Sequence, residues 1–145
     1  MKRDTVKTDK SGKAAKSIAR VLLVEDDPVL AMGLEDAFLR AGSKDVVICQ
    51  TMKASMLELE KGARPDALVL DVHLGDRDDG WALAELVTML GPKPPKIAFS
   101  TGSPEEIPEG IAKMGPVFEK PYDPDTLVEH LAMGDKRGII ARLLG

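Results

Sequence analysis

The chain is poor in cysteine and in aromatic residues. Cys49 is the only cysteine among 145 residues, so neither an intrachain disulfide nor a zinc site of paired cysteines can form. Aromatic residues make up 3% of the chain, whereas hydrophobic residues as a whole make up 43%. We therefore expect an aliphatic core that contains Cys49 as a small buried hydrophobic residue.

Long apolar runs are also missing. No stretch approaches the roughly 20 apolar residues that span a bilayer, and the first 17 residues lack the apolar segment of a secretory signal. We expect a cytoplasmic protein that does not insert into membranes. The length suits one domain.

Positive charge is concentrated at the start of the chain. The first 20 residues carry seven Lys or Arg and two Asp, although the whole chain has a net charge of −4. The acidic remainder is unlike a nucleic-acid-binding protein, and the basic segment has no aromatic residues for base stacking. We expect a disordered basic extension over residues 1–18, a domain over 19–133, an apolar helical extension over 134–145, and no nucleic-acid partner.

Short apolar runs alternate with amphipathic segments. The runs predict five buried strands: Val21–Val24, Val46–Cys49, Ala67–Leu70, Ile97–Phe99 and Val117–Glu119. Such alternation indicates parallel β-α units, that is, an α/β fold with helices on both faces of the sheet.

The intervening segments predict helices of unequal strength. Asp27 and Pro28 suit the N-cap and first position of a helix, whereas Pro108 and Gly110 weaken the segment after the fourth strand. Apolar spacing predicts the buried faces of the first three helices and the last one: Leu30, Leu34, Ala37, Phe38 and Ala41; Met52, Met56, Leu59 and Ala63; Leu83, Leu86, Val87 and Leu90; and Leu127, Val128 and Leu131.

Chemically active side chains follow the strands. In open α/β sheets, sites form at the carboxyl ends of the strands. The first strand is followed by Glu25, Asp26 and Asp27, and the third by Asp71. The fourth strand leads to Thr101 and the fifth to Lys120, so we expect carboxylates, a hydroxyl and an ammonium group to converge.

This set of groups suits phosphoryl transfer. Neighbouring carboxylates repel one another, and a hard cation such as Mg²⁺ would relieve that repulsion. A carboxylate can be a nucleophile toward phosphorus. Mg²⁺, a lysine and a hydroxyl can together neutralise the transferring group. The sequence therefore predicts phosphoryl transfer to Asp71.

Four stretches, VLLVEDDP, LVLDVHLGDRDDG, AFSTG and FEKPYD, carry a family resemblance. In this order and at strand ends, they resemble the receiver domain of two-component response regulators. The resemblance implies a flavodoxin-like, doubly wound sheet with strand order 2-1-3-4-5. AFSTGS and the weak fourth helix are also similar to a bacterial single-domain subgroup with an F-A-T-G motif.

The resemblance implies roles for individual residues. Asp71 corresponds to the phosphoacceptor, and Glu25 and Asp26 correspond to the acidic pair that binds Mg²⁺. The third protein ligand, besides Asp26 and Asp71, would be the backbone carbonyl of His73. Asp27 reads as a helix cap instead.

Two further residues match the family pattern. Thr101 matches the residue that hydrogen-bonds the phosphoryl group, and Lys120 matches the lysine that pairs with it. The family often has a cis peptide before the following proline, here Pro121.

The chain departs from the family in two places. The aromatic switch residue usually found three positions before the lysine is replaced by Val117, with Phe118 beside it. A glycine usually lies eight residues after the phosphoacceptor, whereas Gly80 lies nine after Asp71.

Other residues have plainer expectations. We expect the His73 ring to have no ligand role, Trp81 to be partly exposed at a helix start, and His130 to be a solvated surface group. The apolar stripe Ile139–Leu144 fits either a helix docked on its own domain or a contact with a second copy or another protein.

The resulting prediction is two-component phosphorelay signalling. A histidine kinase or histidine phosphotransfer protein would phosphorylate Asp71, and this would switch a surface for a downstream protein. The chain would not be an enzyme beyond its own phosphorylation and autodephosphorylation, and this role is compatible with a homodimer.

The alternative is a pseudo-receiver that binds a partner without phosphorylation. An aspartate phosphatase and a nucleotide-binding flavodoxin-like protein fit less well, because His73 occupies the acid/base position and no glycine-rich loop follows the first strand.

Overall fold

The computed structural model describes residues 18–62, 64–74, 80–89, 91 and 93–133. Its centre is a five-stranded sheet with the order β2-β1-β3-β4-β5. Every neighbouring pair of strands is parallel. The strands are β1 Arg20–Val24, β2 Asp45–Cys49, β3 Ala67–Asp71, β4 Lys96–Thr101 and β5 Val117–Glu119. The predicted α/β, doubly wound fold and its strand order are confirmed.

The helices connect successive strands. They are α1 Pro28–Arg40, α2 Met52–Glu60, α3 Trp81–Thr88 and α4 Glu109–Ala112. Helix α5 follows β5 and covers 124–133 within the described part of the chain. A 3-10 helix over Pro104–Glu106 precedes α4. The expected weakness of the fourth helix is confirmed, because Pro108 is its N-cap and it has only four residues.

Helix α1 begins as the sequence predicts. The Oδ1 atom of Asp27 accepts a hydrogen bond from the backbone N of Val29 at 3.0 Å, and Pro28 is the first helical residue. The helix ends at Arg40, and Gly42 follows with φ of +108°. Asp27 therefore uses its carboxylate as a helix cap, which separates it from Glu25 and Asp26 before it.

The sheet separates two apolar clusters. Residues of β1, β3 and β4 alternate between the clusters, because successive side chains of a strand point to opposite faces. The first cluster lies under α2, α3 and α4 and includes Leu22, Leu68, Leu83, Phe99 and Ile111. The second lies under α1 and α5 and includes Leu23, Phe38, Val69, Ala98 and Leu127. The core is mainly aliphatic, and Cys49 is buried in it, as expected.

Some predicted core positions are exposed. Ala41 is exposed because it is the C-cap of α1, where the chain turns away from the core. Met56 is 40% exposed, whereas Ser55 is fully buried and donates a hydrogen bond to the carbonyl of Thr51 at 2.9 Å. The buried side of α2 thus runs through Met52 and Ser55. Periodicity missed this because a serine can satisfy its hydroxyl within its own helix.

Several predictions fall outside the described residues. Residues 1–17 of the basic extension, the whole 134–145 extension with its stripe Ile139–Leu144, and two positions predicted as core, Ala63 and Leu90, belong to this group. The proposed domain limits therefore stay predictions. Among the residues that the structure describes, no helix is both long and apolar enough to cross a membrane.

Candidate functional site

The central strands deliver two buried carboxylates to one edge of the sheet. Glu25 directly follows β1 and is 1% exposed, and Asp71 is the last residue of β3 and is 2% exposed. These strands are neighbours in the sheet, so their carboxyl ends lie side by side. Asp26, next in the chain, is exposed. The predicted convergence of these acidic residues is confirmed.

Lys120 lies between the two buried carboxylates. Its Nζ atom is 3.1 Å from Oδ2 of Asp71 and 3.1 Å from Oε1 of Glu25. The backbone N of Lys120 donates to the carbonyl of Thr101 at 2.8 Å, which ties the lysine to the end of β4. The Lys120–Pro121 peptide bond is cis, as the resemblance implied.

Burial shapes the electrostatics of the three charged groups. Desolvation, with a further contribution from the Asp71 charge, raises the pKa of Glu25 to about 7. Desolvation also raises the pKa of Asp71, although Lys120 counteracts part of this effect. For Lys120, burial alone would lower the pKa, but the two carboxylates outweigh it and raise the pKa above its usual value.

Backbone amides fix the orientation of both carboxylates. Oδ1 of Asp71 accepts a hydrogen bond from the backbone N of His73 at 3.0 Å. Oε2 of Glu25 accepts one from the backbone N of Asp27, also at 3.0 Å. Nζ of Lys120 also donates to Oε2, at 3.2 Å. The other oxygen of Glu25, Oε1, is buried and accepts no hydrogen bond from the described residues, although it forms an ion pair with Nζ of Lys120 at 3.1 Å.

The acidic residues fit a divalent cation. Glu25, Asp26 and Asp71 each offer a carboxylate oxygen, and these oxygens lie within 4.8 Å of one another. Oxygen ligands of this kind suit a hard cation. Among the described residues, the buried Oε1 of Glu25 has an ion-pair contact with Lys120 but no hydrogen bond, and this further observation fits such an ion, since buried polar atoms are normally paired.

The family comparison decides the class of the protein. Residues 21–132 match the model of the response regulator receiver domain. The chain belongs to this family. The match includes residues of all five strands and the residues of the acidic cluster, so the resemblance found in the four sequence stretches is confirmed.

Solved structures agree with the receiver assignment. The chain is similar to SdrG from Sphingomonas melonis Fr1, with 27% identity, a TM-score of 0.67 and coverage of 81% of this chain and 96% of SdrG. It also resembles a mutant of the anti-anti-sigma factor PhyR from Bartonella quintana, with 25% identity and a TM-score of 0.65, over 86% of this chain and 52% of PhyR.

A third structure shows the shared fold alone. It is a CheY-like receiver domain from Methylobacillus flagellatus, with 22% identity and a TM-score of 0.66, over 79% of this chain and 97% of that one. A comparison with curated proteins found no match.

Thr101 completes the set of predicted residues in the receiver domain. It is the last residue of β4, is fully buried, and its Oγ1 atom accepts a hydrogen bond from the backbone N of Ser103 at 3.0 Å. It directly follows Ser100, which is paired with Asp71 in the register of β3 and β4. Thr101 therefore lies at the same sheet edge as Asp71, Glu25 and Lys120.

The His73 side chain contacts the loop that follows β4. Its Nε2 atom lies 3.0 Å from Oε1 of Glu106 in the 3-10 helix. The backbone N of the same residue donates to Asp71. The ring is thus directed toward a neighbouring loop, and the expectation that it has no ligand role stays a prediction.

Val117 stands where the family usually has its aromatic switch residue, and its side chain packs against the core of this receiver. Val117 packs against the cluster under α2, α3 and α4, and Phe118 points to the opposite cluster. The Phe118 ring lies 5.6 Å from that of Tyr122 and 5.5 Å from that of His130. His130 therefore packs on an aromatic ring, and the expectation of a simple solvated group was wrong.

Sequence reasoning missed one buried polar pair in the receiver. Ser100 is fully buried, and its Oγ atom shares a hydrogen bond of 2.8 Å with the hydroxyl of Tyr122. Both residues lie in stretches that carry the family resemblance, AFSTG and FEKPYD. No spacing rule links them, because they are 22 positions apart and meet only through the pairing of β4 with β5.

Proposed function

We propose that this receiver domain accepts a phosphoryl group on Asp71 from a histidine kinase or a histidine phosphotransfer protein, with Mg²⁺ present. The observation that carries the proposal is the 3.1 Å contact between Nζ of Lys120 and Oδ2 of Asp71 beside the Glu25–Asp26–Asp71 carboxylates. The Asp71 carboxylate would be the nucleophile for phosphoryl transfer. The Lys120 ammonium group beside it would balance the negative charge of the phosphoryl oxygens.

The transfer itself would use Asp71 as the nucleophile. A carboxylate oxygen forms the new bond to phosphorus while the bond between phosphorus and the donor breaks, and the donor leaves with that electron pair. The hydrogen bond from His73 N holds the carboxylate in a fixed orientation. Lys120, already 3.1 Å from Asp71, would balance the charge of the phosphoryl oxygens.

Three acidic side chains would hold the metal. Glu25, Asp26 and Asp71 fit this role by their mutual distances, and the family pattern adds the backbone carbonyl of His73. A bound Mg²⁺ would neutralise the carboxylates and the incoming phosphoryl oxygens.

Thr101 would bind the transferred group. Its oxygen accepts from Ser103 N, so its hydroxyl proton is left to donate to a phosphoryl oxygen. Phosphorylation adds about −1.5 to −2 charges, which would draw Thr101 and Lys120 toward Asp71. The loop after β4 moves with Thr101, and its new position would be the signal that a downstream protein reads.

The proposal gives the protein a signalling role without turnover of an external substrate. Its only catalysis would be its own phosphorylation and autodephosphorylation. PhyR is described as an anti-anti-sigma factor, but this chain covers only 52% of PhyR. We therefore do not propose that activity for this chain.

Labelling by a small phosphodonor tests the phosphoacceptor. We expect the wild type to gain one phosphoryl group with Mg²⁺ and to lose the signal with a chelator, as followed by intact-protein mass spectrometry. Asp71→Asn should stay unlabelled. The matched control is Asp45→Asn, since Asp45 is an exposed carboxylate that begins β2 and so lies at the opposite edge of the sheet from Asp71. Equal labelling of wild type and Asp71→Asn would contradict the proposal.

Phosphotransfer profiling tests the donor. Histidine kinases and phosphotransfer proteins of the host, first phosphorylated on histidine, should transfer the group to wild type and not to Asp71→Asn. If no donor transfers it, and a partner binds wild type and Asp71→Asn equally, the pseudo-receiver alternative holds instead. Size measurement before and after labelling would show whether phosphorylation causes homodimer formation.

A further inference from the structure

Ser100 and Tyr122 form a hydrogen-bonded pair beside the phosphoacceptor site. Their hydroxyl oxygens are 2.8 Å apart. Ser100 is fully buried at the end of β4, and the half-buried Tyr122 ring packs 5.6 Å from the ring of Phe118. The pair thus joins the strand that ends at Thr101 to the segment that carries Lys120.

The register of the sheet puts Ser100 on the same face as Asp71. The two residues are partners in the parallel pairing of β3 and β4. The residues two positions earlier in each strand, Val69 and Ala98, share the cluster under α1 and α5, to which Phe118 and Tyr122 also belong. Because side chains alternate along a strand, the Ser100 hydroxyl and the Asp71 carboxylate lie on this same side.

Two hydrogen bonds to β4 hold the segment that carries Lys120. The backbone N of Lys120 itself donates to the carbonyl of Thr101 at 2.8 Å. Two residues further, the Tyr122 hydroxyl is bound to Ser100. A lysine side chain has a flexible four-carbon stem, and that of Lys120 is 26% exposed, so water competes for its ammonium group. We therefore expect the position of the Lys120 backbone to determine the fraction of time that Nζ is in contact with Asp71.

We propose that Tyr122, through its hydrogen bond to Ser100, is a positioning residue for phosphoryl acceptance by Asp71. The bond fixes the segment that carries Lys120 and keeps the ammonium group in contact with the carboxylate. This inference rests on the proposed function of Asp71.

Packing alone does not require the two hydroxyls. Alanine and phenylalanine would fill nearly the same space, and replacing both partners of a buried hydrogen bond by apolar groups is often close to neutral for stability. Ser100 also stands where the F-A-T-G motif has alanine. The hydroxyl pair is thus a feature of this chain that stability by itself does not explain.

A double-mutant cycle tests the inference. The variants are Tyr122→Phe, Ser100→Ala and both together, and the measurement is the labelling rate with a small phosphodonor at saturating Mg²⁺. We expect each single variant to lower the maximal rate about two- to tenfold, which is the range for one lost hydrogen bond, with an unchanged half-saturating donor concentration. The double variant should be no slower than either single variant, because either change breaks the same bond.

Lys96→Met is the matched control. The Nζ atom of Lys96 donates to the carbonyl of Leu131 at 2.9 Å, so it also ties β4 to the segment after β5, but from the opposite end of the strand. This variant should lower the free energy of unfolding and leave the labelling rate unchanged. A decrease in both quantities would mean that any loosening of α5 slows labelling, which would overturn the specific role of Tyr122.

Other outcomes separate the inference from the proposed function. Asp71-dependent labelling at the wild-type rate in Tyr122→Phe would overturn the inference alone. Slow labelling of Ser100→Ala together with normal labelling of Tyr122→Phe would also overturn the inference, because Ser100 would then act without Tyr122. If the two rate decreases multiply in the double variant, the inference is overturned as well. Labelling of wild type that does not depend on Asp71 would overturn the proposed function and the inference with it.

Discussion

Gly80 lies directly against the backbone of Asp71. A Cβ atom added to Gly80 would be 2.4 Å from the carbonyl oxygen of Asp71 and 3.0 Å from that of Val72. The backbone N of Gly80 also donates to the carbonyl of Val72 at 3.0 Å. The start of α3 therefore packs against the residue that we propose as phosphoacceptor, and only a residue without a side chain fits there.

Replacing Gly80 by alanine should destabilise the domain. The new methyl group meets backbone atoms, which cannot rotate away, so β3 or α3 has to move. We expect a loss of about 1–3 kcal/mol in the free energy of unfolding, the usual range for overpacking. Urea unfolding measures it. The matched control is Gly110→Ala in α4, where an added Cβ meets no atom of the described residues within 4 Å beyond its chain neighbours and its own helix backbone. That change should be neutral or stabilising, since alanine favours helix.

The three acidic residues after β1 should separate by function. Asp27→Ala removes the N-cap of α1 and should lower the free energy of unfolding by about 1 kcal/mol. It should still be labelled by a phosphodonor, because the Asp27 carboxylate contacts backbone N atoms of α1. Thr51→Ala, which removes the cap of α2, is a control of the same kind. Loss of labelling in Asp27→Ala with normal folding would contradict this division of roles.

Lys120→Met should uncouple metal binding from phosphorylation. The variant removes the only cation that the described structure places within hydrogen-bond distance of Asp71, so labelling should become much slower. The acidic cluster stays intact and loses a competing positive charge, so Mg²⁺ should bind at least as tightly as in wild type. Isothermal titration calorimetry gives the affinity, and mass spectrometry the labelling. A labelling rate equal to that of wild type would contradict the assigned role of the lysine.

The sequence predicted the sheet and the acidic cluster from local signals, whereas the strand order came from the family resemblance. Buried strands read as continuous apolar runs, and the residue after each strand must lie at the sheet edge, which placed Glu25 and Asp71. The pairing of Ser100 with Tyr122 was missed, because it depends on the register of β4 and β5. The exposure of Met56 was also missed, because hydrophobic spacing cannot show that Ser55 satisfies its hydroxyl inside α2.

Metal binding should be visible through Trp81, the only tryptophan of the chain. Trp81 is half-buried, begins α3 and directly follows Gly80, which packs on the Asp71 carbonyl. A cation held by Glu25, Asp26 and Asp71 should therefore change the environment of the indole, and Mg²⁺ should alter its fluorescence in a saturable way.

Asp26→Asn removes one carboxylate of the cluster and should shift the titration to higher Mg²⁺, whereas Asp45→Asn should titrate like wild type. A titration of Asp26→Asn that coincides with that of wild type would show that Asp26 is not a ligand. An Mg²⁺-dependent fluorescence change that survives in a variant lacking both Asp26 and Asp71 carboxylates would place the ion elsewhere in the protein.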